Sequence, residues 1–346
     1  MGTDLKDHRI RVVTTIPGTH GMFWGDNTTL ISEKCKPKMY GPKKGKLYLH
    51  FLSCSVAVKL LLKRKKFDVA VVEGGPMGAW FSWLQSLFFF DKIPTLMIDC
   101  LWYRQSNSFI RMIKGFLMRL SNKSVSTYTV WARHEVNDYS REFGIAKEKF
   151  VYVPFHTTIE NYVFETRDDG FIFAGGNGDR DYKTLIEAVR GLAIPVLIAA
   201  TDTRLFKGLT IPSNISIKGL THQEFRKKMA ACRVAVVPMQ GGLLHSGGQQ
   251  TFLNSMAMGK PTIIVGPRAA EGYIEHGKSG LIIKYGDVAG LREAIVALYN
   301  DSDYRQKMGV AGQSFASRLT TERFVRTIFA IAESLIQTRG ETKSLQ

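Results

Sequence analysis

The residues best placed to do chemistry lie in the segment 245–261, HSGGQQTFLNSMAMGKP, where a polar loop runs directly into a predicted helix. Gly247 and Gly248 leave backbone N–H groups accessible, and the positive end of a helix beginning near Gln249 adds to their effect. Backbone amides in this arrangement bind anions, while neighbouring Ser, Gln and Thr side chains can bind hydroxyl groups. The segment therefore indicates an anion site, although an ordinary loop of an α/β sheet would have the same pattern.

A second glycine-rich turn follows the predicted strand FIFAG, in the sequence AGGNGDRDYKTLIEA. Gly175 and Gly176 let the backbone approach a ligand closely, and the guanidinium of Arg180 can pair with two phosphate oxygens. Lys183 is a second basic candidate. No third glycine completes a dinucleotide fingerprint, and no Gly-Lys-Ser or Gly-Lys-Thr follows as in a P-loop. Alone the turn fits a structural role, and it indicates a phosphate contact in combination with the first segment.

The elements that must position both turns are apolar strands and amphipathic helices, which alternate along the chain. Near-continuous apolar strands indicate parallel sheets covered on both faces, and 346 residues suffice for two domains. The pattern predicts two doubly wound, Rossmann-like α/β domains facing a cleft. The predicted parts are a first domain at 1–155, a linker at 156–169, a second domain at 170–320 and a C-terminal helix at 321–346 that could pack back on the first domain.

The chain is strongly basic, with 47 Lys and Arg against 30 Asp and Glu and a net charge of +17. Such a charge favours phosphorylated small molecules, anionic lipid or nucleic acid as partners. The four cysteines lie far apart, without the usual metal or redox spacing. The N-terminus lacks the apolar core of a signal peptide, and the longest apolar run, at 79–90, is too short to span a bilayer. These features predict a cytoplasmic protein with free thiols.

The second predicted domain resembles the nucleotide-binding domain of GT-B glycosyltransferases, especially the large retaining group called glycosyl transferases group 1. The likeness is carried, in order, by FIFAGGNGDRDYKTLIEA, GLTHQEFRKKMAACRVAVVPM, GGQQTFLNSMAMGKPTIIVG and EGYIEHGKSGLIIKYGDVAGLREAIVALYND. In the first half, VWARHEVNDYSREFGIAKEKFVYVPFHTT is similar to the family's strand, helix and strand leading out of the acceptor domain. The resemblance implies transfer of a sugar from a UDP or GDP sugar to an acceptor in glycan or polysaccharide biosynthesis, without a metal ion or further cofactor.

The resemblance also assigns residues to the donor site. It implies a diphosphate contact at Arg180, while Ser246 and Asn254 stand where the family's Glu-x7-Glu motif has its two glutamates. Asn254 still offers a donor and an acceptor to ribose hydroxyls, but Ser246 supplies no carboxylate, so the stereochemical outcome stays open. The loss of two negative charges suits an acidic donor such as a uronic acid sugar. The predicted donor-binding residues are Gly175, Gly176, Asn177, Arg180, Lys183, Met239, His245, Ser246, Gly247, Gly248, Gln249, Gln250, Thr251, Asn254 and Glu271.

An inverting reaction would need a general base on the acceptor side. His20 and Asp26 follow the first predicted strand, Glu73 ends the second, and Asp99 ends the third. These positions lie at the carboxyl ends of parallel strands, where such sheets bind ligands. Asp99 and His20 are the preferred candidates, with Asp26 and Glu73 as alternatives.

Residues 109–120 predict an amphipathic helix whose apolar side chains are surrounded by basic ones. Such a helix can lie in the interface of an anionic membrane, although a core helix with solvated basic residues fits equally. The aromatic run at 79–90 favours the membrane and predicts a peripheral enzyme on its cytoplasmic face, acting on a lipid-linked saccharide. The residues predicted to contact the membrane are Arg111, Lys114, Phe116 and Arg119.

Three other functions stay open at this point. A nucleotide-sugar epimerase of similar architecture would need no acceptor, and a catalytically inactive relative would bind the donor without turning it over. A basic nucleic-acid-binding protein is the third, but the basic runs lack interleaved aromatic residues, and no zinc-finger or helix-turn-helix spacing occurs.

Overall fold

Two compact units make up the chain, the first comprising Met1–Val153 with Glu322–Gln346 and the second Pro154–Thr321. Each unit contains one six-stranded, wholly parallel sheet with helices around it, which confirms the doubly wound fold predicted from the sequence. The computed structural model describes residues 10–17, 23–31, 41–87, 92–104 and 106–344.

The first sheet has the strand order β2-β1-β3-β4-β5-β6. Its strands are β1 (Val12–Thr14), β2 (Thr28–Leu30), β3 (Val69–Glu73), β4 (Thr95–Ile98), β5 (Thr127–Val130) and β6 (Phe150–Tyr152). The helices between them are α1 (Phe23–Asn27), α2 (Gly41–Lys63), α3 (Pro76–Leu87), α4 (Ser108–Asn122) and α5 (Arg133–Phe143). Strands β3 and β4 lie at the centre because their apolar side chains can be buried on both faces.

Three elements of this unit are not apparent in the sequence pattern. Strand β2 is short, begins with two threonines and is partly exposed at the sheet edge, so it lacks the apolar run that marks a buried strand. Helix α1 is only five residues long. Helix α3 is apolar on almost every side, which hides the helical period, and it buries Phe81 and the amide side chain of Gln85.

The second sheet has the strand order β12-β11-β10-β7-β8-β9. Its strands are β7 (Ile172–Gly175), β8 (Val196–Ala199), β9 (Ile215–Lys218), β10 (Val234–Pro238), β11 (Thr262–Val265) and β12 (Leu281–Ile283). The helices are α6 (Tyr182–Val189), α7 (His222–Ala231), α8 (Gln249–Ala257), α9 (Pro267–Ala270), α10 (Val288–Asn300) and α11 (Ser302–Ala316). Because β7 and β10 are hydrogen-bonded neighbours, the loops that follow them leave the sheet side by side.

The chain returns to the first unit through its last helix, α12 (Thr321–Ser344). Ile328 and Phe329 of this helix are buried in one cluster with Val71 of β3 and Leu96 of β4. Residues 156–169, which the sequence predicts as a linker, belong to the second unit. Just before them, the N–H of Phe155 donates to the hydroxyl of Tyr273 at 2.8 Å. Within the described residues, no helix combines the length and the apolar character needed to cross a bilayer.

Candidate functional site

Two loops are joined at the carboxyl edge of the second sheet: residues 176–181 after β7, the first loop, and residues 239–248 after β10, the second loop. The N–H of Asp181 donates to the carbonyl of Pro238 at 2.8 Å, and the N–H of Gln240 donates to that of Asp179 at 2.9 Å. The sequence predicts an anion site in each loop separately, and the structure brings the two together.

Arg180 lies underneath this junction and is only 7% exposed. Its Nε donates to the carbonyl of Gly175 at 3.0 Å and its Nη1 to that of Gly178 at 2.9 Å. Further contacts reach the sulfur of Met239 at 2.9 Å and the hydroxyl of Thr251 at 3.2 Å. Burial lowers the pKa of the guanidinium, since the charged form is desolvated. Arg180 therefore braces both loops through uncharged acceptors and places a positive charge beneath them, with few donors left for a bidentate phosphate contact.

Two glycines of these loops, Gly176 and Gly248, are required by this close packing. Gly176 has a φ of +115°, and a Cβ there would lie 2.8 Å from Nη2 of Arg180. Gly248 has a φ of +87°, and a Cβ there would lie 2.8 Å from the sulfur of Met239. Both distances are shorter than Cβ atoms tolerate, so a larger residue at either position would displace the side chain of Arg180 or Met239.

Helix α8 begins directly after the left-handed Gly248, which as the N-cap residue has no side chain to cap the first N–H groups. The side chain of Gln249 at this helix start is 1% exposed, and neither its Nε2 nor its Oε1 has a hydrogen-bond partner among the residues that the structure describes. Buried polar groups in native proteins are nearly always hydrogen-bonded, because leaving one unsatisfied costs about 1–3 kcal/mol. A buried amide in this state at the start of a helix is a candidate contact for a polar ligand.

A histidine and an aspartate connect the tips of the two loops. Asp179 adopts the left-handed conformation with a φ of +55°, which non-glycine residues rarely do, and its Oδ2 lies 3.2 Å from Nε2 of His245. The side chain of His245 is buried, as is the neighbouring Ser246. Strained residues that the surrounding structure holds in place are typical of ligand sites.

Other predicted donor residues are engaged with the protein itself or lie on the surface. Asn177 connects the first loop to the loop after β8, where its Oδ1 accepts the N–H of Thr201 at 2.8 Å. Asn254 binds Thr158 through both ends of its amide. Lys183 and Glu271 are exposed.

The first unit holds a pair of carboxyl groups at the carboxyl edge of its sheet. Glu73 ends β3 and Asp99 follows the neighbouring β4, with a left-handed φ of +56°. The pKa of Asp99 is raised to about 6, chiefly by burial and to a smaller extent by the charge of Glu73, while the nearby Trp131 side chain acts in the opposite direction. Burial also raises the pKa of Glu73. A carboxyl group with a pKa near neutrality can accept a proton at physiological pH, which is what a general base requires.

The sequence interpretation missed Trp131 as a member of this site. It directly follows β5, the next strand along the sheet, so the rule that selected Glu73 and Asp99 also selects it. Asp26 lies exposed in α1, and His20 lies outside the described residues. In the described part of the chain, no three His, Cys, Asp or Glu side chains come together as a metal site would need, and metal independence stays a prediction.

Helix α4 forms a separate surface of the first unit, and Ser121 is its only buried residue. The exposed fraction is 63% for Phe109 and 64% for Phe116. Arg111 and Arg119 are also exposed. Lys114 instead turns inward, donating to the carbonyl of Tyr103 at 2.8 Å. The sequence also allows α4 to be a core helix with solvated basic residues, and the exposure of Phe109 and Phe116 argues against that alternative.

Comparison with known proteins gives a consistent result. Residues 170–301 match the family model described as Glycosyl transferases group 1, and no curated protein sequence matches the chain. Sucrose-phosphate synthase from Thermosynechococcus elongatus has 14% identity and a TM-score of 0.67, over 90% of this chain and 84% of that one. Anabaena HepE, solved with UDP, has 13% identity and a TM-score of 0.65, over 97% and 100% of the two chains. A UDP-forming α,α-trehalose-phosphate synthase from Burkholderia vietnamiensis has 11% identity and a TM-score of 0.61, over 86% and 78%.

The matched region, 170–301, falls within the second unit and contains both loops and α8. The structural likeness extends over most of the chain, so both units resemble the solved structures in fold.

Proposed function

We propose, from the premise that this chain is a GT-B glycosyltransferase carrying a group 1 domain, that it transfers a sugar from a UDP sugar to a lipid-linked saccharide. UDP is favoured over GDP because HepE was solved with UDP and with UDP-glucose, and the trehalose-phosphate synthase is UDP-forming. The observation that carries the proposal is the buried, unsatisfied amide of Gln249 at the start of α8.

In this proposal the diphosphate lies against the start of α8, where backbone amides and the helix dipole stabilise negative charge. Arg180 contributes its charge from below the two loops. The amide of Gln249 binds the diphosphate or the sugar with one or both of its polar ends. These groups replace a divalent cation, and the absence of carboxylates at Ser246 and Asn254 favours an acidic donor sugar.

Asp99 is the proposed general base for an inverting reaction. Its carboxylate would remove the proton from the acceptor hydroxyl as that oxygen attacks the anomeric carbon, and the nucleoside diphosphate would leave with the bonding electrons. Burial and, to a smaller extent, the charge of Glu73 keep the pKa of Asp99 high, and the Trp131 side chain lies beside it.

Thermal unfolding with a panel of nucleotide sugars tests the donor. A ligand present at about 100 times its Kd stabilises the native state by about 2.7 kcal/mol, which raises the Tm by several degrees. We expect UDP-glucuronic acid and UDP to raise the Tm more than UDP-glucose, and GDP-mannose to leave it unchanged. Equal shifts with UDP and GDP sugars would contradict the choice of nucleotide, and a panel without any shift would contradict the donor site.

Docking on an anionic membrane is the second part of the proposal, and it rests on two helices. Helix α4 presents Phe109 and Phe116 to solvent between Arg111 and Arg119. Apolar side chains that enter the headgroup region, with basic ones beside anionic lipid, are the pattern of interfacial helices.

Helix α2 presents a similar surface. Phe51, Val58 and Leu62 recur on one side of the helix and are 74%, 40% and 75% exposed. Lys59 and Lys63 flank them and are exposed as well. Helix α3 packs against both α2 and α4, and these three helices contain no Asp or Glu. Because helices α2, α3 and α4 carry no carboxylates, they do not repel anionic lipid. Their exposed apolar side chains favour a lipid surface over nucleic acid as the partner.

Vesicle binding tests the membrane docking. We expect the protein to bind vesicles containing phosphatidylserine in low salt and to be released in about 0.5 M salt, since the Debye length then falls to a few ångströms. Replacing Phe109 and Phe116 together by Ser should weaken binding at least tenfold, because each phenyl ring contributes about 1.5–3 kcal/mol on burial. Val310→Ser is the control, since Val310 is 63% exposed but lies in the second unit. Equal binding by the control and the double variant would refute docking through α4.

A further inference from the structure

Asn254 is held by a residue far away in the sequence. Its Oδ1 accepts the backbone N–H of Thr158 at 2.8 Å, and its Nδ2 donates to the hydroxyl of the same residue at 2.9 Å. Asn254 is 7% exposed, so these bonds form largely out of water. Because both ends of the amide are engaged, Asn254 is not available in this structure to the ribose contact that the resemblance implies.

Thr158 is also bound from the first turn of α8. The Nε2 of Gln250 donates to the Thr158 hydroxyl at 3.1 Å, so this oxygen accepts hydrogen bonds from two amides. Gln250 directly follows Gln249, whose amide marks the proposed donor site. A ligand at the start of α8 therefore acts on a helix that is fixed to Thr158 along one side.

The residues around Thr158 join the two segments through which the chain passes between its units. The N–H of Thr157 donates to the carbonyl of Leu319 at 2.8 Å, connecting the segment that enters the second unit with the one that leaves it. The carboxylate of Glu160 accepts the Thr157 hydroxyl at 2.6 Å and the backbone N–H of Thr321 at 2.9 Å. These bonds hold the pKa of Glu160 below its usual range, although burial acts in the opposite direction. Both connections are thus held as one cluster at residues 157–160 and 319–321.

We propose that Asn254 is a positioning residue that couples donor binding at the start of α8 to both interunit connections through Thr158. The proposal rests on the proposed function, because it takes a nucleoside diphosphate as the ligand at α8. Only a side chain with a donor and an acceptor on one short stem can bind both the N–H and the hydroxyl oxygen of Thr158 in this way. An aspartate could accept the N–H but could not donate to the hydroxyl oxygen, so the hydroxyl would have to turn and donate instead.

Hydrogen exchange with and without UDP tests the coupling on the full chain. We expect UDP to slow exchange severalfold in peptides covering 155–160 and 317–323 of the wild type, since a rigidified α8 restrains the connections that it holds. Asn254→Ala and Thr158→Val should lose this response while the Kd for UDP stays within about threefold. Thr158→Ser is the matched control, because serine keeps the N–H and the hydroxyl and should behave as wild type.

Steady-state kinetics give an independent readout. Asn254→Ala and Thr158→Val should lower kcat about tenfold with little change in the KM for the donor. Thr158→Ser should keep the kcat of the wild type. Thr158→Val replaces the hydroxyl by a methyl group of similar size and provides a second variant if Asn254→Ala folds poorly.

Several outcomes would overturn the coupling. A Kd for UDP raised more than about thirtyfold in Asn254→Ala, with normal binding in Thr158→Val, would make Asn254 a direct ligand. An exchange response that survives in both variants would show that the connections respond without Thr158. If UDP fails to bind the wild type, the proposed donor site is wrong and the coupling falls with it, whereas binding without an exchange response refutes the coupling alone.

Discussion

Asp99→Asn is expected to lower turnover about 10³-fold while leaving donor binding unchanged. General-base catalysis contributes about 10²–10⁴-fold, and an amide of the same shape cannot accept the proton. Because the pKa of Asp99 is raised to about 6, the wild-type rate should fall as pH decreases through that value and the carboxylate becomes protonated. A pH–rate profile of the wild type and single-turnover rates of the variant are the measurements.

The same substitution should stabilise the folded protein at neutral pH. A carboxyl group whose pKa rises from 3.8 in the unfolded chain to about 6 in the folded one favours folding most below pH 4. This contribution is lost as the pH rises through about 6, since the buried carboxylate must then be charged. The asparagine has no such penalty, so the variant should gain at most about 3 kcal/mol above pH 6 and nothing below pH 4.

The opposite signs of the two effects separate a catalytic role from a structural one. Asp303→Asn is the control: Asp303 lies exposed in the first turn of α11, so its replacement should leave turnover unchanged and cost at most about 1 kcal/mol of stability. Glu73→Gln should move the acid limb of the profile to lower pH, since the charge of Glu73 helps to raise the pKa of Asp99. Full turnover in Asp99→Asn would refute Asp99 as the base of an inverting reaction. An unchanged Tm of this variant above pH 6 would show that burial of the Asp99 carboxylate does not destabilise the wild type.

Gln249→Met is expected to raise the stability of the ligand-free protein by about 1–3 kcal/mol and to weaken donor binding at least tenfold. Methionine has nearly the shape of glutamine but carries no polar group that burial leaves unsatisfied. The donor would lose the hydrogen bonds that the amide provides. Chemical denaturation without ligand and titration with UDP measure the two changes.

Gln85→Met is the matched control and should have the reverse effect on stability. Gln85 is 2% exposed, but its amide is satisfied by the carbonyl and N–H of Ile93 and the hydroxyl of Thr95. Its replacement leaves buried partners without hydrogen bonds and should destabilise the fold by about 1–3 kcal/mol. A destabilised Gln249→Met that binds UDP normally would show that Gln249 belongs to the core and not to the donor site.

The sequence predicts the fold well wherever one local period dominates. Five of the six strands of the second sheet appear as apolar runs, and β9 alternates between apolar and polar residues. Helix α8 is predicted to start near Gln249 because two glycines precede it. Strand β2 is not predicted because it is too short and polar, and helix α3 is not predicted because its apolar residues lie on almost every side.

Of the candidate site, the sequence predicts those residues whose place at the end of a strand decides their role. Asp99 and Glu73 follow from the rule on strand ends, but the raised pKa of Asp99 depends on burial and on a residue in another strand. The sequence of the first loop suggests that Arg180 faces a phosphate, whereas the left-handed turn at Asp179 directs it under the loops. Asn254 is bound to a partner 96 residues away, and no local pattern reveals such a pair.

The bracing of the two loops by Arg180 has a consequence for the thermodynamics of donor binding. The backbone around Gly175, Gly178 and Met239 is held in position before any ligand arrives, so the entropy of ordering these loops is lost during folding. Association with UDP should therefore show a small entropic penalty, as is typical of preorganised receptors, and calorimetry should find a heat-capacity change no larger than rigid docking requires.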